Sequence, residues 1–183
     1  MSQLVPNPQD LGLPPKFSSW RAKQDDAILA CIDRPERFVA LALPTGSGKS
    51  AVYVSQAVLT DKRTCILTST KGLQTQLTDD FNTTGMLDVR GQNSYDCILI
   101  DPSDNRGKTV AVDHGPCHFG HRCKFKENGC TYFDAVAAAR KAKLVVTNYS
   151  FWMSIHAFSE GLGKFDVLVC DEVHAADSEV ASF

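Results

Sequence analysis

The chain has 183 residues, 43% hydrophobic and 22% charged, and its 19 Lys and Arg against 21 Asp and Glu give a formal net charge of −2. That is enough apolar material for the core of one ordinary domain, or one domain with a small insert, and no stretch approaches the roughly 18 uninterrupted apolar residues of a membrane span. Near-neutral charge excludes a uniformly basic nucleic-acid coat protein. The N-terminus, MSQLVPNPQDLGLPP, has neither the basic start nor the apolar run of a secretory signal, so cytoplasmic residence is expected.

Residues 1–16 hold four of the eight prolines and no periodic pattern, which predicts an irregular or mobile arm. The ordered domain is expected from about Phe17. Apolar spacing predicts a helix from Trp20 to Ile32, a charged turn from Asp33 to Arg37, and a fully buried strand over FVALAL (Phe38 to Leu43). The glycine turn PTGSGKS follows, then an amphipathic helix SAVYVSQAVLT ending near Asp61. A second buried strand, TCILTS (Thr64 to Ser69), leads into the helix KGLQTQLTDDF. Alternation fails between about Val89 and Thr131, so residues 89–131 are expected to be an insert with its own means of support. Regular signals return with the helix FDAVAAARKAK, the strand LVVTN, and the strand FDVLVC (Phe165 to Cys170) before DEVH. Strands alternating with helices at this spacing predict an α/β fold, a parallel sheet covered on both faces. The main domain comprises residues 17–88 and 132–183.

LPTGSGKS (Leu43 to Ser50), placed between a strand and a helix, meets the context a phosphate-binding loop requires. Thr45, Gly46, Ser47 and Gly48 supply backbone N–H groups that can close on phosphate oxygens. Lys49 supplies a cation for the β and γ phosphates of ATP, and the Ser50 hydroxyl a ligand for Mg²⁺. Leu43 stands where the longer form of the pattern has its first glycine, so the loop is the shortened variant. A glycine turn that merely caps a helix is the competing account. VLVCDEVH delivers Asp171 and Glu172 at the C-terminal end of a strand, where α/β sheets bind ligands. Asp171 is expected to hold Mg²⁺, largely through water, and Glu172 to orient and deprotonate an attacking water. His174 completes a D-E-x-H box that could couple this site to a neighbouring domain, or is simply a surface histidine at a helix start.

The combination of LPTGSGKS, TSTKGLQTQL, a four-cysteine insert, CTYFDAVAAARKAKLVVTNYSFW and DEVHAADS resembles the first motor lobe of the iron-sulfur branch of superfamily 2 helicases, the DinG and XPD-like group, from about Phe17 to the last residue. The resemblance implies a RecA-like lobe with a cluster-bearing insert, acting on single-stranded or forked DNA. It implies that Arg21 and Gln24 of WRAKQ read adenine, where a polar first helical turn is the plain alternative. It places Thr68, Thr70 and Gln74 against the DNA backbone, with helix capping as a compatible role. Asn148 and Tyr149 of TNYSFW match a TNY segment seen in these proteins. A second RecA-like lobe, in cis or in trans, is implied for unwinding. Since the chain stops twelve residues after Asp171, a fragment or split subunit with ATP binding and weak hydrolysis is expected.

Cys31, Cys65 and Cys170 lie in apolar runs and are expected to be small buried hydrophobes. Cys97, Cys117, Cys123 and Cys130, spaced C-x19-C-x5-C-x6-C, lack the close pairs usual in structural zinc sites, and four well-spread thiolates can surround a [4Fe-4S] cluster. The resemblance points the same way, although this spacing departs from the family pattern and the ligands are assigned by order. Zinc remains the alternative, with His114, His118 or His121 replacing a thiolate. From Arg106 to Lys143 the chain carries a charge of +5, leaving −7 elsewhere. With Tyr95, Phe119, Phe125, Tyr132 and Phe133 in or beside it, the insert could grip a single strand by charge and stacking, or use the aromatics as its own small core. A different class of reading is a metal-stabilised nucleic-acid-binding module with a vestigial nucleotide site. A third is an unrelated P-loop ATPase or kinase with a zinc insert.

Overall fold

Four strands, β1 (Thr64–Thr68), β2 (Leu87–Asp88), β3 (Leu144–Asn148) and β4 (Val167–Cys170), form one parallel sheet in the order β2-β3-β1-β4. The computed structural model describes residues 4–32 and 36–183. The central pair, β1 and β3, is buried at every residue, as a strand covered on both faces must be. Thr68 lies beside Asn148 and Leu67 beside Cys170, so β1, β3 and β4 end at one rim and release their loops together.

Alternate side chains feed two cores. Ile66, Leu144 and Val146 pack with Leu77 and Phe81 and with Ala51 and Val54 on one face. These come from helices α2 (Lys49–Thr60) and α3 (Lys71–Asp80), with Phe81 just after α3. Cys65, Leu67 and Val145 pack on the other face with α4 (Thr131–Lys141) and α5 (Tyr149–Phe158) through Val136, Ala139, Phe151 and Ile155. The guanidinium of Arg63 ties the layers: it donates to the carbonyls of Ala139, Ala142 and Leu162 at 2.9–3.0 Å and lies 3.9 Å from the Phe165 ring centroid. A cation at the last carbonyls of α4 is where the helix dipole favours one.

Helix α1 (Gln24–Ile32) begins later than the apolar spacing predicts, and the charged turn expected from Asp33 falls largely outside the described residues. Phe38–Leu43 corrects the strand expectation: it forms no strand, and Phe38 and Val39 are exposed while Leu41 and Leu43 lean on Ala27, Ile28 and Val52. A strand requires a partner edge as well as apolar residues. Among the described residues no strand pairs with the outer side of β4, whose burial alternates accordingly. Cys170, at the end of that edge strand, is exposed, against expectation. β2, α5 and the short α6 (Ala176–Ser182) have no counterpart among the predicted elements.

The arm is irregular, as expected, but its described part is docked. Leu13 is buried against α2 and α3, Trp20 Nε1 donates to Pro6 O at 2.8 Å, and Phe17 stacks on Phe81 with centroids 4.9 Å apart. The insert likewise lacks a core of its own. It runs through short 3-10 turns and one antiparallel bridge, Asp96 to Ala111. Val89, Cys97, Val112 and Cys130 enter the same apolar cluster as Val145 and Phe151. Tyr95, Tyr132 and Phe133 stack edge to face within it, which makes them core aromatics, whereas Phe119 is 67% exposed.

Candidate nucleotide site and adjoining groove

The phosphate-loop sequence folds as a turn into α2. Gly46 and Gly48 have φ of +78° and +80°, a left-handed backbone that side-chain-bearing residues adopt only at a cost. At Gly48 a Cβ would also lie 2.5 Å from Gln24 Nε2. Gly48 is the N-cap of α2 and no side chain caps that end, so its first-turn N–H groups stay available to an anion. The Ser47 hydroxyl is buried without a partner. Lys49 Nζ donates to Leu43 O at 3.3 Å, folded over the loop it is expected to serve. Thr45 is exposed at the loop's outer turn.

Arg21 and Gln24 brace this loop. Gln24 Nε2 donates to Ser47 O and Gly48 O at 2.9 and 3.2 Å, its Oε1 accepts from Arg21 N at 2.8 Å, and Arg21 Nη1 donates to Gly46 O at 2.6 Å. Both residues, with Phe17 and Gly48, line a cavity of about 510 Å³ beside the loop, a volume that suits a nucleoside-sized group.

Asp171 reaches the same corner from β4. Tyr53 Oη donates to Asp171 Oδ2 at 3.0 Å across 118 residues of sequence, and the Ser50 hydroxyl neighbours that phenol. Burial, and then the Asp171 charge, push the Tyr53 hydroxyl well above its usual value, so it remains a donor. Glu172 has φ +52° and ψ +43°, a left-handed conformation in a non-glycine residue, and its Oε2 lies 3.2 Å from His174 Nε2. Strain of this kind persists only where the surroundings enforce it. His174 itself is largely exposed. The hydroxyl of Ser50 and the carboxylate of Asp171 are hard oxygen donors, suited to Mg²⁺.

Across the same rim lies a groove of about 580 Å³, lined by Ser69, Lys71, Gln92, Asn93, His118 and Ser150 among others. Two helices begin at it. Thr70 caps α3 by accepting from Leu73 N at 3.2 Å, and Asn148 caps α5 by accepting from Phe151 N at 2.9 Å. Thr68 and Gln74 lie behind this surface, fully buried. The Thr68 hydroxyl donates to Thr70 O, and the Gln74 amide donates to Val89 O and to the Asp88 carboxylate. Of the three residues expected against a nucleic-acid backbone, two are thus internal supports, and Lys71, Asn93 and Ser150 are the exposed polar groups. Sequence spacing could not tell which side of α3 faces the sheet.

Residues 17–182 match the family described as ResIII, Type III restriction enzyme, res subunit. The chain belongs to that family. It is therefore a superfamily 2 helicase-like motor domain of the NTPase type, with the α/β lobe seen here. No curated protein matches the chain. No helix among the described residues is long and apolar enough to cross a membrane.

Cys97, Cys117, Cys123 and Cys130 are all free thiols, two buried and two half-buried. Burial, followed by the charges of Cys123, Cys97 and Cys130, pushes the Cys117 thiol up. Among the described residues no three His, Cys, Asp or Glu side chains stand close enough to hold a metal already. His118 instead pairs with Gln92 at 2.9 Å. Tyr53 and Tyr149 are site residues the sequence reading gave no role. Tyr53 follows Ser50 by three residues, hence on the same helical face, and its phenol in an apolar helix was the available signal.

Proposed function

We propose that this chain is the first motor lobe of an ATP-driven helicase, binding ATP·Mg²⁺ at Lys49, Ser50, Asp171 and Glu172 and coupling its hydrolysis to movement along single-stranded DNA. The observation that carries the reading is the Tyr53–Asp171 hydrogen bond, which joins the phosphate-loop helix to the D-E strand end at 3.0 Å. Lys49 would leave Leu43 O for the β and γ phosphates, and the free N–H groups at the start of α2 would surround them. Mg²⁺ bound by Ser50 and Asp171 would neutralise charge on the transferring phosphoryl group. Glu172 stands at the end of β4 to orient the attacking water. Turnover at full rate requires a second RecA-like lobe that closes over the γ phosphate, in cis or in trans.

The DinG and XPD-like branch is part of the proposal, with Cys97, Cys117, Cys123 and Cys130 holding a [4Fe-4S] cluster. What speaks for it is the kind of donor, four thiols with none in a disulfide, in a segment poor in regular structure; among the described residues they do not stand together as a formed site. Iron and acid-labile sulfide near four per chain in anaerobically purified protein, with visible absorbance lost in Cys117→Ser, is the expected result. Zinc near one per chain would remove the branch and keep the motor lobe. For the motor itself, ATPase activity stimulated by single-stranded DNA and abolished in Lys49→Ala is expected once a second lobe is supplied. DNA binding with no ATP turnover stimulated by it, once a second lobe is supplied, would overturn it in favour of a nucleic-acid-binding module with a vestigial nucleotide site.

A further inference from the structure

The Asp171 N–H donates to Leu67 O of β1 at 2.9 Å, and three further hydrogen bonds hold the residue. Its Oδ2 accepts from Tyr53 Oη at 3.0 Å, its Oδ1 from the Glu172 N–H at 3.1 Å, and its carbonyl oxygen from Tyr149 Oη at 2.9 Å. Tyr53 and Tyr149 are both buried, and each hydroxyl donates to this one residue while also neighbouring a second side chain, Ser50 for Tyr53 and Cys170 for Tyr149. They also come from different places. Tyr53 sits in the second turn of α2, the helix that opens at the phosphate loop. Tyr149 is the first residue of α5, between Asn148 and Ser150, which both line the groove at the same rim.

The arrangement fixes the end of an edge strand. β4 is an edge strand with no described neighbour on its outer side, so its C-terminal end is anchored by hydrogen bonds more than by packing. A shift of α2 acts on the carboxylate of Asp171, and a shift of α5 acts on its backbone. We propose that Tyr53 and Tyr149 are a pair of positioning residues, Tyr53 aiming the Asp171 carboxylate at the nucleotide-bound divalent cation and Tyr149 transmitting occupancy of the groove to it. The inference rests on the nucleotide-site reading above. It adds two residues and a physical link between two sites, through a two-bond path rather than through proximity alone.

Tyr→Phe changes at both positions keep the ring and remove only the hydroxyl. The probes are Mn²⁺, followed by its paramagnetic signal in the presence of a non-hydrolysable ATP analogue, and oligodeoxythymidylate for the groove. Tyr53→Phe is expected to weaken Mn²⁺ binding by about tenfold or more, the range for residues that orient a metal ligand, while analogue binding without metal is unchanged. In wild type, oligodeoxythymidylate should alter the Mn²⁺ affinity by about fivefold or more. In Tyr149→Phe that factor should fall to one, with oligodeoxythymidylate still bound. A lowered thermal midpoint in either variant with Mn²⁺ affinity and its response to oligodeoxythymidylate intact would overturn the proposal, since both bonds would then only hold the edge strand in place. If Tyr53→Phe fails to fold, Tyr149→Phe decides by the same criterion. A wild-type chain that binds neither the analogue nor Mn²⁺ would instead overturn the nucleotide-site reading.

Discussion

The nucleotide corner and the cysteine insert occupy the same domain and are built in opposite ways. In the corner, each polar group is set by a regular element. α2 presents Ser50 and Tyr53 on one face, β4 delivers Asp171, and Gln24 braces the loop through two hydrogen bonds while accepting a third from Arg21 N. In the insert, 3-10 turns and a single bridge carry four thiols, and the apolar side chains that fix it belong to a cluster shared with β3, α4 and α5. One region has its geometry before any ligand arrives; the other has free thiols that, among the described residues, form no ready metal site. Regular elements distribute strain over many hydrogen bonds, whereas isolated turns have few to distribute it over.

Removing the scaffold under the corner should have the largest effect. Phe81 is fully buried and stacked on Phe17, and Phe81→Ala is expected to cost about 3–5 kcal/mol in denaturant unfolding, loosening the arm and α3 together. A loss under about 1 kcal/mol would show that the arm does not belong to the same cooperative unit.

Alkaline titration comes next. Burial pushes the Cys65 thiol and the Tyr53 hydroxyl up from ordinary values of 9.0 and 10.0. In both cases the folded state keeps its proton where the unfolded chain releases it, so their contribution is complete below about pH 9 and declines above it. The slope is about 1.4 kcal/mol per pH unit for each group once its unfolded value is passed. Unfolding curves between pH 8 and 11 should show this decline, and Cys65→Ala should flatten its first part.

The insert is sharpened as a contrast by metal removal. Chelation under reducing conditions should raise the rate of proteolytic cutting within residues 89–131 by about tenfold, an opening of ~1.4 kcal/mol, while ATP binding is retained. Equal loss of both would mean that the two regions open as one.

The smallest effect is a gain. Glycine at the left-handed position of Glu172 (φ +52°) relieves roughly 1–2 kcal/mol of backbone cost and gives back part of it in chain entropy. Glu172→Gly is therefore expected to raise stability by about 0.5–1 kcal/mol in thermal unfolding while losing hydrolysis. Unchanged stability would show that the Glu172–His174 pair offsets the strain.

Much of this was legible in residue order. LPTGSGKS and DE announce their chemistry because phosphate binding needs glycine, lysine and a hydroxyl at fixed offsets. TCILT and LVVTN announce central strands because a doubly covered strand tolerates only apolar or small residues. FVALAL carries the same signal and misled. Its composition states that it can be buried, not that an edge is present to receive it. Tyr149–Phe158 escaped notice because a helix at the rim of a sheet, with Ser150 and Ser154 lining the groove, lacks a clean 3.6-residue stripe.

By itself, then, the sequence determined the α/β class, the nucleotide motifs and the central strands, all of which follow from local spacing and side-chain chemistry. Only the tertiary structure decided that Thr68 and Gln74 are buried supports, that the arm and insert share the lobe's cores, and that Tyr53 and Tyr149 converge on Asp171. Those are contacts between residues tens of positions or more apart. Their existence depends on which edges and faces meet, a property of the folded chain that no window of sequence contains.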